Sequence, residues 1–126
     1  MSTKLHTILY WVFTVLVAFV FAGSAFGKLI GQEEALQKAA EFGITKTAYF
    51  YLGVIELIAL VLFIIPRTAL LGFLLLAAFM GGAIASHLEH GESVIAPCIV
   101  QIILWLVAAF RLPELRSRLF NAEFNR

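Results

Sequence analysis

Residues 48–87 have the sequence AYFYLGVIELIALVLFIIPRTALLGFLLLAAFMGGAIASH, and this stretch decides the fold. It contains two apolar runs, 48–65 and 68–87, each of about 20 residues, the length that crosses the roughly 30 Å hydrocarbon core of a bilayer. Pro66 lies between the two runs and cannot continue a helix interior. The stretch therefore predicts two membrane-spanning helices joined by a tight turn.

Two more apolar runs flank this pair, at residues 8–29 and 94–112. Hydrophobic residues make up 62% of the 126 residues and charged residues only 13%, about half the charged share of a soluble domain. A chain of this length cannot cover so much apolar surface by itself, so the bilayer must be its solvent. The sequence predicts an all-α integral membrane protein, with one domain over 1–126 that forms a four-helix bundle of four spans.

The polar segments outside the spans carry two further predictions. Residues 33–43, EEALQKAAEFG, open with acidic residues and end on glycine, which predicts a short extramembrane helix between the first two spans. This helix would rest on the membrane surface, cap the bundle or form a plain surface linker. Residues 111–126 alternate leucine with arginine, which favours an amphipathic tail along an anionic membrane leaflet.

Basic residues predict the orientation of the chain. With four spans, both termini lie on one side of the membrane, together with six basic residues, whereas the other side has Lys28, Lys38 and Lys46. The positive-inside rule then places both termini in the cytoplasm. The six basic residues on the side of the termini are Lys4, Arg67, Arg111, Arg116, Arg118 and Arg126.

The net charge of +1, without a basic run, argues against nucleic acid as a partner.

Rows of small residues at intervals of four predict where the helices approach one another. The first span has Gly23, Gly27 and Gly31, and the third has Ala78, Gly82 and Ser86. Lipid solvates leucine as well as a neighbouring helix does, so helix association in membranes relies on close packing at such residues. The rows would serve packing within the bundle or in a homodimer, and the sequence does not separate these.

Glu56 lies near the middle of the second span, where a carboxylate costs about 2.5–3.5 kcal/mol on insertion scales and is kept mainly when it is paired or used. The other spans contribute Lys28, His87 and Gln101. Glu56 is roughly 13 Å along its helix from the outer end. Lys28, at the outer end of its own span, is thus at the limit of direct contact, and a water or a ligand could bridge the two.

Two more residues share faces with this set. Ser24 lies one helical turn below Lys28, and Tyr49 lies two turns above Glu56. Each residue alone also has a plain structural role, such as an interfacial anchor or a hydrogen bond between helices. Together, three titratable groups on one side suit a functional site. The predicted site opens to the outside and comprises Ser24, Lys28, Tyr49, Glu56, His87 and Gln101.

The cysteine and histidine residues bear on whether the chain has a thiol redox pair or a metal site. The single Cys98 cannot form an internal disulfide or a dithiol redox pair, nor hold an iron–sulfur cluster. His87, His90 and Glu92 have a spacing that matches no strong zinc signature, and polar residues are expected at a membrane edge. We therefore predict no metal site and no built-in cofactor.

Three segments resemble the DoxX-like family of small four-span membrane proteins. They are FAGSAFGKL at 21–29, GVIEL at 53–57 and MGGAIASH at 80–87, in the order and spacing of that family. The resemblance implies an inner-membrane protein of a bacterium or similar cell. Some members are associated, as membrane subunits, with quinone-linked oxidation of sulfur compounds. It also implies that Lys28, Glu56 and His87 form the site.

The function that we expect first is a membrane subunit of an oxidoreductase system that binds a quinone or a similar small apolar molecule. Quinone reduction needs protons, which Glu56 and His87 could supply or relay, and a soluble or membrane redox partner would supply the electrons. A small proton-coupled transporter is one alternative. A non-catalytic scaffold within a membrane complex is another. The substrate, the electron donor and the oligomeric state stay open.

Overall fold

The structure is a computed structural model that describes residues 2–120. Within this range it is all-helical and contains no strand. A 3₁₀ turn, Pro66–Thr68, separates the third and fourth of its α-helices. The helices are α1 (Thr3–Ile30), α2 (Glu33–Glu41), α3 (Lys46–Ile64), α4 (Ala69–Glu89), α5 (Ile95–Arg111) and α6 (Pro113–Phe120).

Helix length and apolar surface indicate a lipid bilayer as the environment. Three segments are long and apolar enough to cross a membrane, namely α1, α3 and Pro66–Glu89. Helix α5 has 17 residues and would be a fourth span if it is counted with α6, which bends away from it by 103°. Large side chains on these helices are exposed, such as Phe19 at 81%, and only lipid can solvate such a surface.

The buried core lies toward the end of the molecule that carries both termini, here called the terminal end. Helices α1 and α4 each pack against α3 and α5. The core is built from the second half of α3, the first half of α4 and the second half of α5, with α1 completing it. The opposite end, here called the α2 end, is less filled. The largest core side chains are Phe21, Leu60, Phe63, Phe73, Leu76 and Leu104.

The turn between α3 and α4 lies where Pro66 predicts it and is held by a close backbone approach. A Cβ at position 72 would lie 2.1 Å from the amide nitrogen of Phe63, so only glycine fits there. The Thr68 hydroxyl donates a 2.8 Å hydrogen bond to the Leu62 carbonyl oxygen, which satisfies one of the last acceptors of α3. Gly72 and Thr68 together hold α3 and α4 in close contact.

The rows of small residues were predicted to serve packing within the bundle or in a homodimer. A Cβ at Gly23 or Gly82 would meet no heavy atom within 4 Å, whereas close approaches within the chain occur at Gly53 and Gly72, which belong to neither row. Spacing shows which residues share a helix face, but not which neighbour that face meets, so the homodimer stays a prediction.

Arg111 locks the terminal end, although the sequence analysis counted it only as a basic residue at a membrane edge. It is 3% exposed. Its Nη1 donates a 2.7 Å hydrogen bond to the Phe63 carbonyl oxygen, and its Nη2 donates to the Tyr10 hydroxyl at 3.0 Å. The guanidinium also stacks on the rings of these two residues. Arg111 therefore joins α5 to α1 and to the C-terminal carbonyls of α3, where a cation is favoured by the helix dipole.

Replacing Arg111 with methionine is expected to lower the free energy of unfolding by about 2–3 kcal/mol, because a charge-assisted hydrogen bond to a buried carbonyl is lost. The measurement is unfolding in detergent followed by far-ultraviolet circular dichroism. Arg67→Met is the control, since Arg67 is an exposed cation at the same end. Equal stability of the two variants would contradict the assigned role.

The predicted amphipathic tail begins as α6. The Arg116 Nη1 donates to the carbonyl oxygens of Ala109 and Phe110 at 2.9 and 2.8 Å, which caps the end of α5. Leu115 packs against the core, while Phe120 is exposed. Residues 121–126 of the predicted tail, including Arg126, lie outside the described residues.

Candidate functional site

The site centres on an ion pair between α1 and α3. The Lys28 Nζ lies 3.0 Å from the Glu56 Oε1, and the Ser24 hydroxyl donates to the same oxygen at 3.1 Å. Lys28 also donates a 2.7 Å hydrogen bond to the Ser24 oxygen. Glu56 is 1% exposed and the Lys28 side chain 14%. The three groups form a closed triangle in which the buried carboxylate has a charged partner, as burial requires.

A glycine explains why Lys28 reaches Glu56 directly. Lys28 and Ser24 are four residues apart and share one face of α1. That face meets Gly53 of α3, where a Cβ would lie 2.8 Å from the Lys28 Cβ and 3.2 Å from the Ala25 carbonyl oxygen. Of the two arrangements left open, direct contact and a bridge through a water or a ligand, the structure has direct contact, since the two helices approach closely here.

Two aromatic rings flank the ammonium group. The Lys28 Nζ lies 5.6 Å from the centre of the Tyr49 ring and 5.5 Å from that of Phe79. Both distances are within the range of a cation–π attraction, which adds to the ion pair in holding the lysine. Tyr49 was predicted for the site. Phe79 was missed, because one more phenylalanine in an apolar span carries no distinguishing signal.

A cavity of about 500 Å³ adjoins this triangle at the α2 end. Its wall is mostly apolar, and residues from α1, α2, α3 and α4 contribute to it. Such a volume suits a small organic molecule. The row of small residues on α4, Ala78, Gly82 and Ser86, lines the cavity, so within the chain the row borders open space. The remaining lining residues include Lys28, Tyr49, Leu52, Phe79, Ala83 and His87.

Helix α2 forms the roof of the cavity. Lys38 and the buried Ala39 line it, together with Phe42, which ends the helix. The Phe42 ring lies edge-on to His87 and stacks on His90, with both centroid distances 5.1 Å. The segment was predicted as a helix that rests on the membrane surface, caps the bundle or forms a surface linker. In the structure it is a helix that covers the cavity.

His87 lines the cavity but does not bond to the Lys28–Glu56 pair. Its Nδ1 lies 2.7 Å from the Ala83 carbonyl oxygen. Because a carbonyl only accepts hydrogen bonds, we assign the proton to Nδ1, which leaves Nε2 of the neutral ring as an acceptor. His87 therefore adds an imidazole to a mostly apolar cavity wall, on a helix different from that of Lys28.

Gln101 lies apart from the cavity wall. Its Nε2 donates a 3.0 Å hydrogen bond to the Ala77 carbonyl oxygen and so links α5 to α4. Its Oε1 is buried without a partner among residues 2–120. Of the six predicted site residues, the structure thus joins Ser24, Lys28 and Glu56 by hydrogen bonds, adds Tyr49 and His87 through the cavity, and places Gln101 between two helices.

Comparison with known proteins identifies the family. Residues 12–110 match the model of the DoxX-like family, which covers well over half of the chain. The chain belongs to the DoxX-like family. No curated protein and no solved structure matches this DoxX-like chain.

The matched region contains every residue that builds the site. The three segments that resemble the DoxX-like family bring Lys28, Glu56 and His87 to the α2 end. Within residues 2–120, no three histidine, cysteine, aspartate or glutamate side chains converge in an arrangement that could hold a metal ion. The cavity of this DoxX-like protein has two ammonium groups, an imidazole and a mostly apolar wall.

Proposed function

We propose that this DoxX-like protein binds a quinone or a similar small apolar ring compound in the cavity, as a membrane subunit of a quinone-linked oxidoreductase system. The observation that carries the proposal is an apolar cavity of about 500 Å³ with the Lys28 ammonium and the His87 imidazole in its wall. A flat ring with carbonyl groups needs an apolar volume and a few placed polar groups, and the cavity supplies both.

The polar groups Lys28 and His87 would form different hydrogen bonds with the ligand. The Lys28 ammonium would donate a hydrogen bond to a quinone carbonyl, and the His87 Nε2 would accept one from the hydroxyl of the reduced form. Reduction of a quinone takes two electrons and two protons. A partner redox protein would supply the electrons, and His87 together with Lys28 and Glu56 would relay the protons from water. Glu56 is 1% exposed and would act through Lys28, which it holds in place by the 3.0 Å ion pair.

The membrane arrangement is part of the proposal. We infer that α1, α3, α4 and α5 cross the inner membrane as a four-helix bundle that forms a single domain over 1–126. At 17 residues, α5 would be a short span. The basic residues at the terminal end support a cytoplasmic position for both termini, and the cavity at the α2 end would then open to the outer side.

Filling the cavity is expected to abolish ligand binding without harming the fold. Gly82 lines the cavity and a Cβ there would meet no heavy atom within 4 Å, so the leucine of Gly82→Leu would occupy the ligand volume. A quinone analogue at about 100 times its Kd should stabilise the native protein by roughly 2.7 kcal/mol. We expect that this stabilisation, measured by thermal unfolding in detergent, is lost in Gly82→Leu.

The matched control is Gly81→Leu. Gly81 is the neighbouring residue on α4, it is equally unobstructed, and it does not line the cavity. Gly81→Leu should keep the ligand-induced rise in Tm. If quinone analogues failed to raise the Tm of the native chain, the proposed function would be wrong, and a scaffold role would take its place. If both leucine variants responded like the native chain, the ligand would lie elsewhere.

A further inference from the structure

The charges on the cavity wall indicate more about the ligand than the volume of the cavity does. No aspartate or glutamate lines the cavity, whereas Lys28 and Lys38 both do. The charge of Lys28 is balanced by Glu56 at 3.0 Å. Lys38 has no ion pair with any residue between 2 and 120. Lys38 is therefore the lysine of the cavity wall that has no ion pair within the described residues.

We propose that the ligand of this cavity carries a negative charge beside its ring, as an ionised hydroxyl or a carboxylate, and that Lys38 on the α2 roof recognises it. The inference rests on the proposed function, because it names the class of ring compound that the same cavity takes. An acidic hydroxyquinone has both the quinone ring and the negative charge. A neutral quinone has the ring but not the charge.

Electrostatics favours the charged ligand. The Lys38 ammonium lines the cavity without an ion pair, so an anionic group on the ligand gains an attraction that a neutral group does not. An ionised oxygen accepts hydrogen bonds that are about twice as strong as those of a neutral carbonyl. The mostly apolar wall lowers the local dielectric constant, which strengthens the attraction between an anionic group and the lysines.

The position of Lys38 also suits recognition at the mouth of the cavity. Helix α2 contributes Lys38 and Ala39 to the cavity, and Lys38 is exposed while Ala39 is buried. The ring would therefore lie against the apolar wall, for example against Phe79. Its charged group would face the roof, where the lysine side chain can adjust to it.

The experiment compares two quinones of nearly equal size. One is 2-hydroxy-1,4-naphthoquinone, which is ionised at neutral pH, and the other is the neutral 2-methyl-1,4-naphthoquinone. Equilibrium dialysis against the full chain in nanodiscs, with empty nanodiscs subtracted, measures both values of Kd. We expect the native chain to bind the ionised compound at least about tenfold more tightly. In Lys38→Met this preference should fall below about threefold, while Lys38→Arg should keep it.

Controls separate this inference from the proposed function. Lys46→Met removes the same charge from an exposed lysine that does not line the cavity and should leave the preference unchanged. Equal affinity for both quinones, or a preference that survives in Lys38→Met, would overturn the inference and leave the quinone site intact. Binding of 2-naphthoate but of neither quinone would support the acidic ligand and overturn the quinone. Binding of none of the three would overturn both.

Discussion

The Gly72→Ala variant is expected to be among the least stable single variants of this chain, with a loss of at least about 3 kcal/mol in the free energy of unfolding. An added Cβ would lie 2.1 Å from the Phe63 amide nitrogen and 2.5 Å from its Cα. These are backbone atoms, so no side-chain rotation relieves the clash. The variant must separate α3 from α4 beside the Pro66 turn, and the core around Phe63 and Phe73 opens with them.

Alanine substitutions at unobstructed glycines serve as controls, because they should change the stability in the opposite direction. In an unobstructed helix interior, glycine to alanine is stabilising by roughly 0.5–1 kcal/mol. Gly23→Ala and Gly81→Ala should therefore raise the Tm slightly, because a Cβ at either site meets no heavy atom within 4 Å. The same substitution is thus expected to have opposite effects at different positions, as measured by thermal unfolding in detergent. A stable Gly72→Ala variant would contradict the close packing of α3 on α4.

The buried polar residues of the site could be predicted from the sequence, because a charged group inside an apolar span is energetically costly and therefore stands out. A carboxylate in the middle of an apolar span needs a partner, and Lys28 and Ser24 were the nearest polar groups on the preceding span. The membrane class and the helical fold follow from composition and length in the same way. The family resemblance pointed to the same three residues, Lys28, Glu56 and His87.

The geometry between helices could not be predicted in this way. Spacing places residues on a helix face but gives no information about which neighbour the face meets, so the row of Gly82 was assigned to packing although it lines a cavity. Likewise, an arginine at a membrane edge usually serves the charge bias, and nothing local distinguishes the buried Arg111. Both features depend on how closely α3 approaches its neighbours, at Gly53 and Gly72.

Removing one partner of the buried ion pair is expected to cost about 3–5 kcal/mol in the free energy of unfolding, because the other charge stays behind uncompensated. Glu56→Leu would leave the Lys28 ammonium, 14% exposed, with only the Ser24 oxygen and two aromatic rings. Glu56→Gln keeps the shape and a hydrogen-bonding oxygen and should lose less. Thermal unfolding in detergent measures both, and Glu89→Gln, at an exposed glutamate on α4, is the control.

The double variant Lys28→Met, Glu56→Leu tests whether the pair serves stability or function. Replacing a buried pair by apolar residues of similar volume is often neutral or stabilising, so the double variant should recover most of the stability that Glu56→Leu loses. It should not recover ligand binding, since the cavity then lacks the Lys28 ammonium that would donate to a quinone carbonyl. Recovery of both would show that the pair has no part in binding. A double variant as unstable as Glu56→Leu would show that its instability does not come from the uncompensated lysine. The expected result, a stable protein without a ligand, would mean that the buried pair is kept in the membrane for ligand binding and not for stability.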